Sequence, residues 1–154
     1  MIYCGIGSRQ TPQDILTVMT DAACYLSRLG YMLRSGGAAG ADTAFEKGSA
    51  NSQIFTANDA TQKAITYASY YHPAWDMCDS YTRKLHGRNS MIILGQNLDD
   101  PCEFVMCWCV EDKNGPRGGT GMGIRIARAN NIKVLNMYYP EVLARIKAKI
   151  YDNS

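Results

Sequence analysis

Three short segments carry residue types that could hold a phosphorylated ligand: Gly5-Ile6-Gly7-Ser8-Arg9, Arg34-Ser35-Gly36-Gly37-Ala38-Ala39-Gly40-Ala41-Asp42 and Gly118-Gly119-Thr120-Gly121-Met122-Gly123. Glycine lets a phosphate or ribose come close to the backbone. The N–H groups of a loop or a helix start then donate to it, with a partial positive charge behind them. Ser8, Ser35 and Thr120 add hydroxyl donors in the same places. The expected contact set is Gly7, Ser8 and Arg9 from the first segment, then Ser35, Gly36, Gly37, Ala38, Gly40 and Asp42 from the second. Gly118, Gly119, Thr120 and Gly121 complete it from the third. A tight strand-to-helix turn also needs glycine, so one such loop alone has a purely structural reading. Three together point to a site.

Arg9, Arg88 and Arg125 are candidates for phosphate contact, because a planar guanidinium meets a phosphate through two parallel hydrogen bonds. Asn89 stands beside Arg88 and joins it as a candidate. Asp42 and Glu46 are four residues apart and share one face of a helix starting near Gly40. As catalytic candidates, they could recognise ribose hydroxyls or stabilise an oxocarbenium-like centre during N-glycosidic cleavage. An acid favoured by the helix dipole is the plainer account of Asp42. His72 and Trp75 flank Pro73, where an aromatic ring could stack on a base or simply pack. Cys102, Cys107 and Cys109 read as buried thiols. A zinc centre needs about four well-spaced ligands, and neither histidine is near them in sequence, so no metal is expected.

The elements that must position these residues follow from the apolar patterning. Ile2 to Ile6 reads as a strand, and Thr11-Pro12 as the N-cap and first residue of a helix. That helix carries Ile15, Leu16, Met19, Ala22, Ala23, Leu26 and Leu29 at helical spacing, and Gly30 stops it. Residues 31–34 form a second strand, a helix follows Gly40, and residues 53–55 make a short third strand. The polar and aromatic stretch 57–80 reads as helical pieces in a lid-like connection, and a longer helix runs from Met77 to Leu94. The nearly continuous apolar run from Phe104 to Val110 is that of a central parallel strand covered on both faces. Lys113 to Pro116 marks a turn. A helix from Gly118 to Ala129, a strand at 133–136 and a helix from Pro140 to Ile150 close the chain. Strands alternating with helices predict an α/β, Rossmann-like, doubly wound and mostly parallel sheet of about five strands. The glycine-rich segments then share the carboxyl edge of that sheet, where such folds bind ligands. One domain spans residues 1–154.

Other classes are disfavoured. Gly-Lys-Ser and Gly-Lys-Thr are absent, and Gly5-Ile6-Gly7 is followed by Gln10 where a dinucleotide fingerprint has its third glycine, so a hydride-transfer dehydrogenase is disfavoured and no cofactor is expected. A net charge of +2 is too small to argue for non-specific nucleic-acid binding. No apolar run reaches membrane-spanning length, the first residues enter a strand at once, and six irregularly spaced cysteines suit reduced thiols; a cytoplasmic protein without membrane contact is expected.

The ordered set Gly5-Ile6-Gly7-Ser8-Arg9, residues 34–46, His86-Gly87-Arg88-Asn89 and Gly118-Gly119-Thr120-Gly121 resembles the SLOG superfamily of Rossmann-like nucleotide-binding proteins, over about residues 2 to 137. The nearest likeness is to the DprA (Smf)-like proteins, including small stand-alone versions found in phage genomes, for which the location would be the host cytoplasm. The resemblance implies a nucleotide-like ligand that is bound, sequestered or processed, and a homo-oligomer. It carries two alternatives: a DprA-like mediator of recombination that binds single-stranded DNA, and a LOG-like phosphoribohydrolase that frees a base from a nucleotide. The LOG pattern has an Arg-Lys pair and a glutamate after its glycine loop. Here Arg88 is followed by Asn89, and Gly123 by Ile124 and Arg125, so the usual catalytic acid is missing.

Overall fold

The computed structural model describes residues 1–152; positions 153 and 154 of the expected domain lie outside the described residues. Five parallel strands form the main sheet: β1 (Ile2–Gly7), β2 (Met32–Ser35), β3 (Ser52–Ile54), β4 (Phe104–Trp108) and β7 (Lys133–Asn136), in the order β3-β2-β1-β4-β7. Two-residue strands β5 (Glu111–Asp112) and β6 (Gly115–Pro116) form a separate antiparallel hairpin. The helices are α1 (Gln13–Arg28), α2 (Ala41–Gly48), α3 (Gln62–Ser69), α4 (Ser80–Leu94), α5 (Gly118–Ala129) and α6 (Pro140–Tyr151). This is the Rossmann-like α/β architecture, with helices on both faces of the sheet.

The central strands β1 and β4 and the edge strand β7 feed two cores because successive side chains point to opposite faces. Tyr3, Leu33 and Met106 join Val18, Met19, Phe45 and Ile146 on the face covered by α1, α2 and α6. Cys4, Val105 and Cys107 join Ile92, Ile93, Met122 and Ile124 on the face covered by α4 and α5. Burial on both sides is why the run starting at Phe104 is apolar without alternation. No helix among the described residues is long and apolar enough to cross a membrane.

Several boundaries differ from the sequence reading for local reasons. Pro12, not Thr11, occupies the N-cap of α1, because the Thr11 hydroxyl donates to the Ser8 carbonyl instead of capping the helix. β4 stops at Trp108 because the Asn136 side chain takes over the next backbone groups: the Cys109 N–H donates to its Oδ1 (3.0 Å) and its Nδ2 donates to the Cys109 carbonyl (2.8 Å). The 113–116 turn belongs to the β5–β6 hairpin, with Gly115 at φ 100°. Between β3 and α4 the chain makes 3-10 turns at Ala57–Asp59 and Trp75–Met77 on either side of α3.

Candidate functional site

At the centre of the sheet β1 and β4 run side by side, Gly7 opposite Trp108. Beyond that pair the chain leaves β1 toward α1 on one face and leaves β4 toward α5 on the other. Such a divergence opens a crevice at the carboxyl edge. A cavity of about 590 Å³ lies there, within the range of roughly 300–1,000 Å³ usual for small-molecule sites. Gly7, Ser8 and Arg9 form one wall, Gly36, Gly37, Ala38 and Asp42 a second, and Arg117, Gly118, Gly119 and Thr120 a third. The α4 face closes it with Tyr81, Leu85, His86, Arg88 and Asn89, and Thr56 and Ala57 complete the rim.

The backbone explains why glycine is needed here. Gly37 has φ 70° and Gly118 has φ 69°, left-handed values that side chains other than glycine's adopt at a cost. At Gly36 the reason is space: a Cβ there would overlap the Arg88 guanidinium and come within 2.9 Å of Asp42 Oδ2. Arg88 is held against this loop. Its Nη1 donates to the Gly36 carbonyl (2.8 Å) and to the Phe55 carbonyl (3.3 Å), while its buried Nε has no partner. Asn89 Nδ2 donates to the Gly119 carbonyl (3.1 Å), tying α4 to the start of α5.

Asp42 is the one carboxyl group among the lining residues. Burial pushes its pKa from 3.8 up to about 6, against the opposing pull of the Ala38 amide, the Arg88 charge and the Gly36 and Gly7 amides. Ala38 N–H donates to Oδ2 at 3.2 Å. The carboxyl group therefore clamps the second glycine loop to the end of β1. His86, by contrast, is pushed down to about 4, chiefly by burial and then by the charges of His72 and Arg88. It is neutral at pH 7. The ionised groups on the walls are thus the three arginines 9, 88 and 117 and, above pH 6, Asp42. An anion meets a net positive wall, with Ile6, Leu85 and the Tyr81 ring supplying apolar surface.

Not every expected residue reaches this cavity. Ser35 is fully buried and its hydroxyl donates to the Gly5 carbonyl at 2.6 Å, bracing β2 against β1. Gly40 precedes α2, and Gly121 packs against the Pro116 carbonyl; both shape the chain outside the lining. Glu46 is exposed: helix α2 turns Asp42 inward and, one turn later, presents Glu46 to solvent. Arg125 faces a smaller cavity with His72, and its Nη2 donates to the Asn114 and Pro116 carbonyls. Arg34, the first residue of the second segment, points away from the site into the core. Trp75 packs beside both histidine rings, under the Arg83 guanidinium at 5.2 Å. Cys102, Cys107 and Cys109 are buried free thiols.

Arg117 and the Thr56–Ala57 rim join the lining without a sequence signal that marked them, and His86 stood in the His86-Gly87-Arg88-Asn89 motif with no role of its own. The nearest thing to one for Arg117 is its place before the glycine run that opens α5. His86 gave no signal of its own, since only the packing of α4 decides which side it faces. No protein-family model and no curated protein matches the chain.

Proposed function

We propose that this protein binds a nucleotide or a nucleotide-derived small molecule in the glycine-walled cavity, as its resemblance to the SLOG superfamily implies. The observation that carries the reading is the meeting, in one crevice at the strand switch point, of three glycine segments distant in sequence. Each brings what an anionic, ribose-bearing ligand needs. The first turn of α5 offers N–H groups with no acceptor within the helix. Arg88 offers a pre-oriented guanidinium with an unpartnered Nε. The apolar walls can take a base.

Binding without cleavage is the favoured reading. Glu46 points to solvent, Asp42 already accepts hydrogen bonds from the loops it clamps, and residues 124 and 125 supply no acid after the glycine run. The test is thermal stabilisation by 5′-mononucleotides, cyclic nucleotides, NAD, ADP-ribose and a single-stranded oligonucleotide, followed by chromatography of each hit for free base. A small-molecule ligand well above its Kd adds a few kcal/mol to stability. Stabilisation by the oligonucleotide alone overturns the proposal in favour of a DprA-like role. Release of free base overturns binding without cleavage.

A further inference from the structure

Both histidines of the chain, separated by fourteen positions in sequence, meet beside Cys78; they line a smaller cavity with Gly118, Gly119 and Arg125, and His86 also faces the glycine-walled cavity. His72 and Cys78 flank the 3-10 turn at Trp75–Met77, and His86 comes from the middle of α4. One ligand atom from each residue lies within 4.8 Å of those of the other two. Cys78 Sγ is 3.7 Å from His72 Nε2, and the two imidazole centroids are 4.6 Å apart. A tetrahedral zinc ion with ordinary Zn–N and Zn–S bonds holds its nitrogen and sulfur ligands about 3.6 Å apart, so the measured edge needs almost no adjustment. A second observation is independent of the clustering. His86 is 6% exposed, and its Nδ1 has no hydrogen-bond partner. A buried polar atom left without a partner is costly, and native proteins rarely leave one so.

We propose that His72, Cys78 and His86 form a three-ligand site for a thiophilic divalent ion of the zinc class. Two imidazoles and a thiolate are a borderline-soft donor set that suits zinc and excludes calcium or magnesium, which take oxygen ligands. The ion joins the 70–79 connection to α4, the helix that closes the nucleotide cavity. Three protein ligands leave a fourth position for water or another small donor. Binding releases the Cys78 thiol proton to solvent. His72 Nδ1 accepts from the Ala74 amide at 2.9 Å, which leaves the ring proton on Nε2; coordination through Nε2 moves that proton to Nδ1, and the bond to the amide is given up. The Arg125 charge near His72 opposes a cation, and the thiolate offsets it.

The full-length protein, stripped with a chelator, is titrated with Co²⁺ and then with Zn²⁺. The expected result is one equivalent of cobalt, a thiolate-to-cobalt charge-transfer band in the near ultraviolet, and loss of that band as zinc displaces cobalt. Cys78→Ser abolishes the band, and His72→Ala weakens zinc binding at least about tenfold. Both positions are only partly buried, and circular dichroism of the metal-free variants shows that the fold is kept. Absence of the band in the wild type overturns the site, as does a band that survives Cys78→Ser. Undiminished zinc affinity in His72→Ala overturns the three-ligand assignment.

Discussion

Asp42→Asn isolates the electrostatic cost of the clamp that shapes the cavity. In the folded protein burial raises the Asp42 pKa from 3.8 to about 6. Between those values the folded state holds a proton that the unfolded chain has released. Stability therefore falls as pH rises through this window. The contribution is fully present below about pH 4 and lost above about pH 6. At 1.36 kcal/mol per pKa unit, the rise amounts to about 3 kcal/mol. Asparagine does not titrate, so the variant lacks this loss. The assay is urea unfolding of both proteins at intervals from pH 4 to pH 7.5, with the difference in unfolding free energy plotted against pH. All other titrating groups cancel in that difference, and any change in hydrogen bonding shifts it by a constant. The wild type should lose about 3 kcal/mol relative to Asp42→Asn across the window. A flat difference refutes the burial argument. A difference of opposite slope shows that the Arg88 charge and the loop amides outweigh desolvation.

Three other substitutions separate structural from site roles. Arg34 is fully buried, with Nη2 donating to the Asp100 carbonyl (2.8 Å) and Nη1 to the Met91 carbonyl (3.4 Å) near the end of α4. Arg34→Ala should cost about 2–4 kcal/mol in chemical denaturation, from the cavity and the orphaned carbonyls. Asp100→Asn should cost less than about 1 kcal/mol, because that side chain is 68% exposed at its ion pair with Arg34. Gly36→Ala should leave a folded protein, destabilised by about 1–3 kcal/mol, in which Arg88 is displaced and nucleotide-induced stabilisation is lost; the check is thermal unfolding with and without ligand.

The fold was largely legible because its signals are strong and local. The apolar periodicity of α1, Gly30 at its end and the unbroken apolar run of β4 each follow from burial on known faces. The site was legible only in part, and the misses share a cause. A glycine-rich segment shows that the backbone is crowded, and it does not show what crowds it. At Gly36 the neighbour is Arg88, across the cavity wall; at Gly121 it is the Pro116 carbonyl, outside it. Period arguments placed Asp42 and Glu46 on one helix face, but α2 buries only the start of that face. Arg34 ends the second strand in the sequence with no role marked by its neighbours, and tertiary packing makes it a core residue serving the end of α4. The meeting of His72, Cys78 and His86 depends on how the irregular 70–79 segment packs, which no short-range pattern encodes.

The glycine-walled cavity is the proposed binding place of a nucleotide-like ligand. A bulky residue at Gly37 is a poor probe, since φ 70° strains any replacement. Gly119 is a better one: a Cβ there meets only Asn89 Nδ2, at 4.0 Å. Gly119→Leu therefore extends into the cavity without disturbing the core. The measurement is titration calorimetry of wild type and Gly119→Leu with 5′-mononucleotides, NAD and ADP-ribose, alongside their thermal midpoints without ligand. The account predicts that at least one compound binds the wild type, and that Gly119→Leu keeps its midpoint and loses binding. No binding to the wild type, or the same affinity in a folded Gly119→Leu, contradicts it.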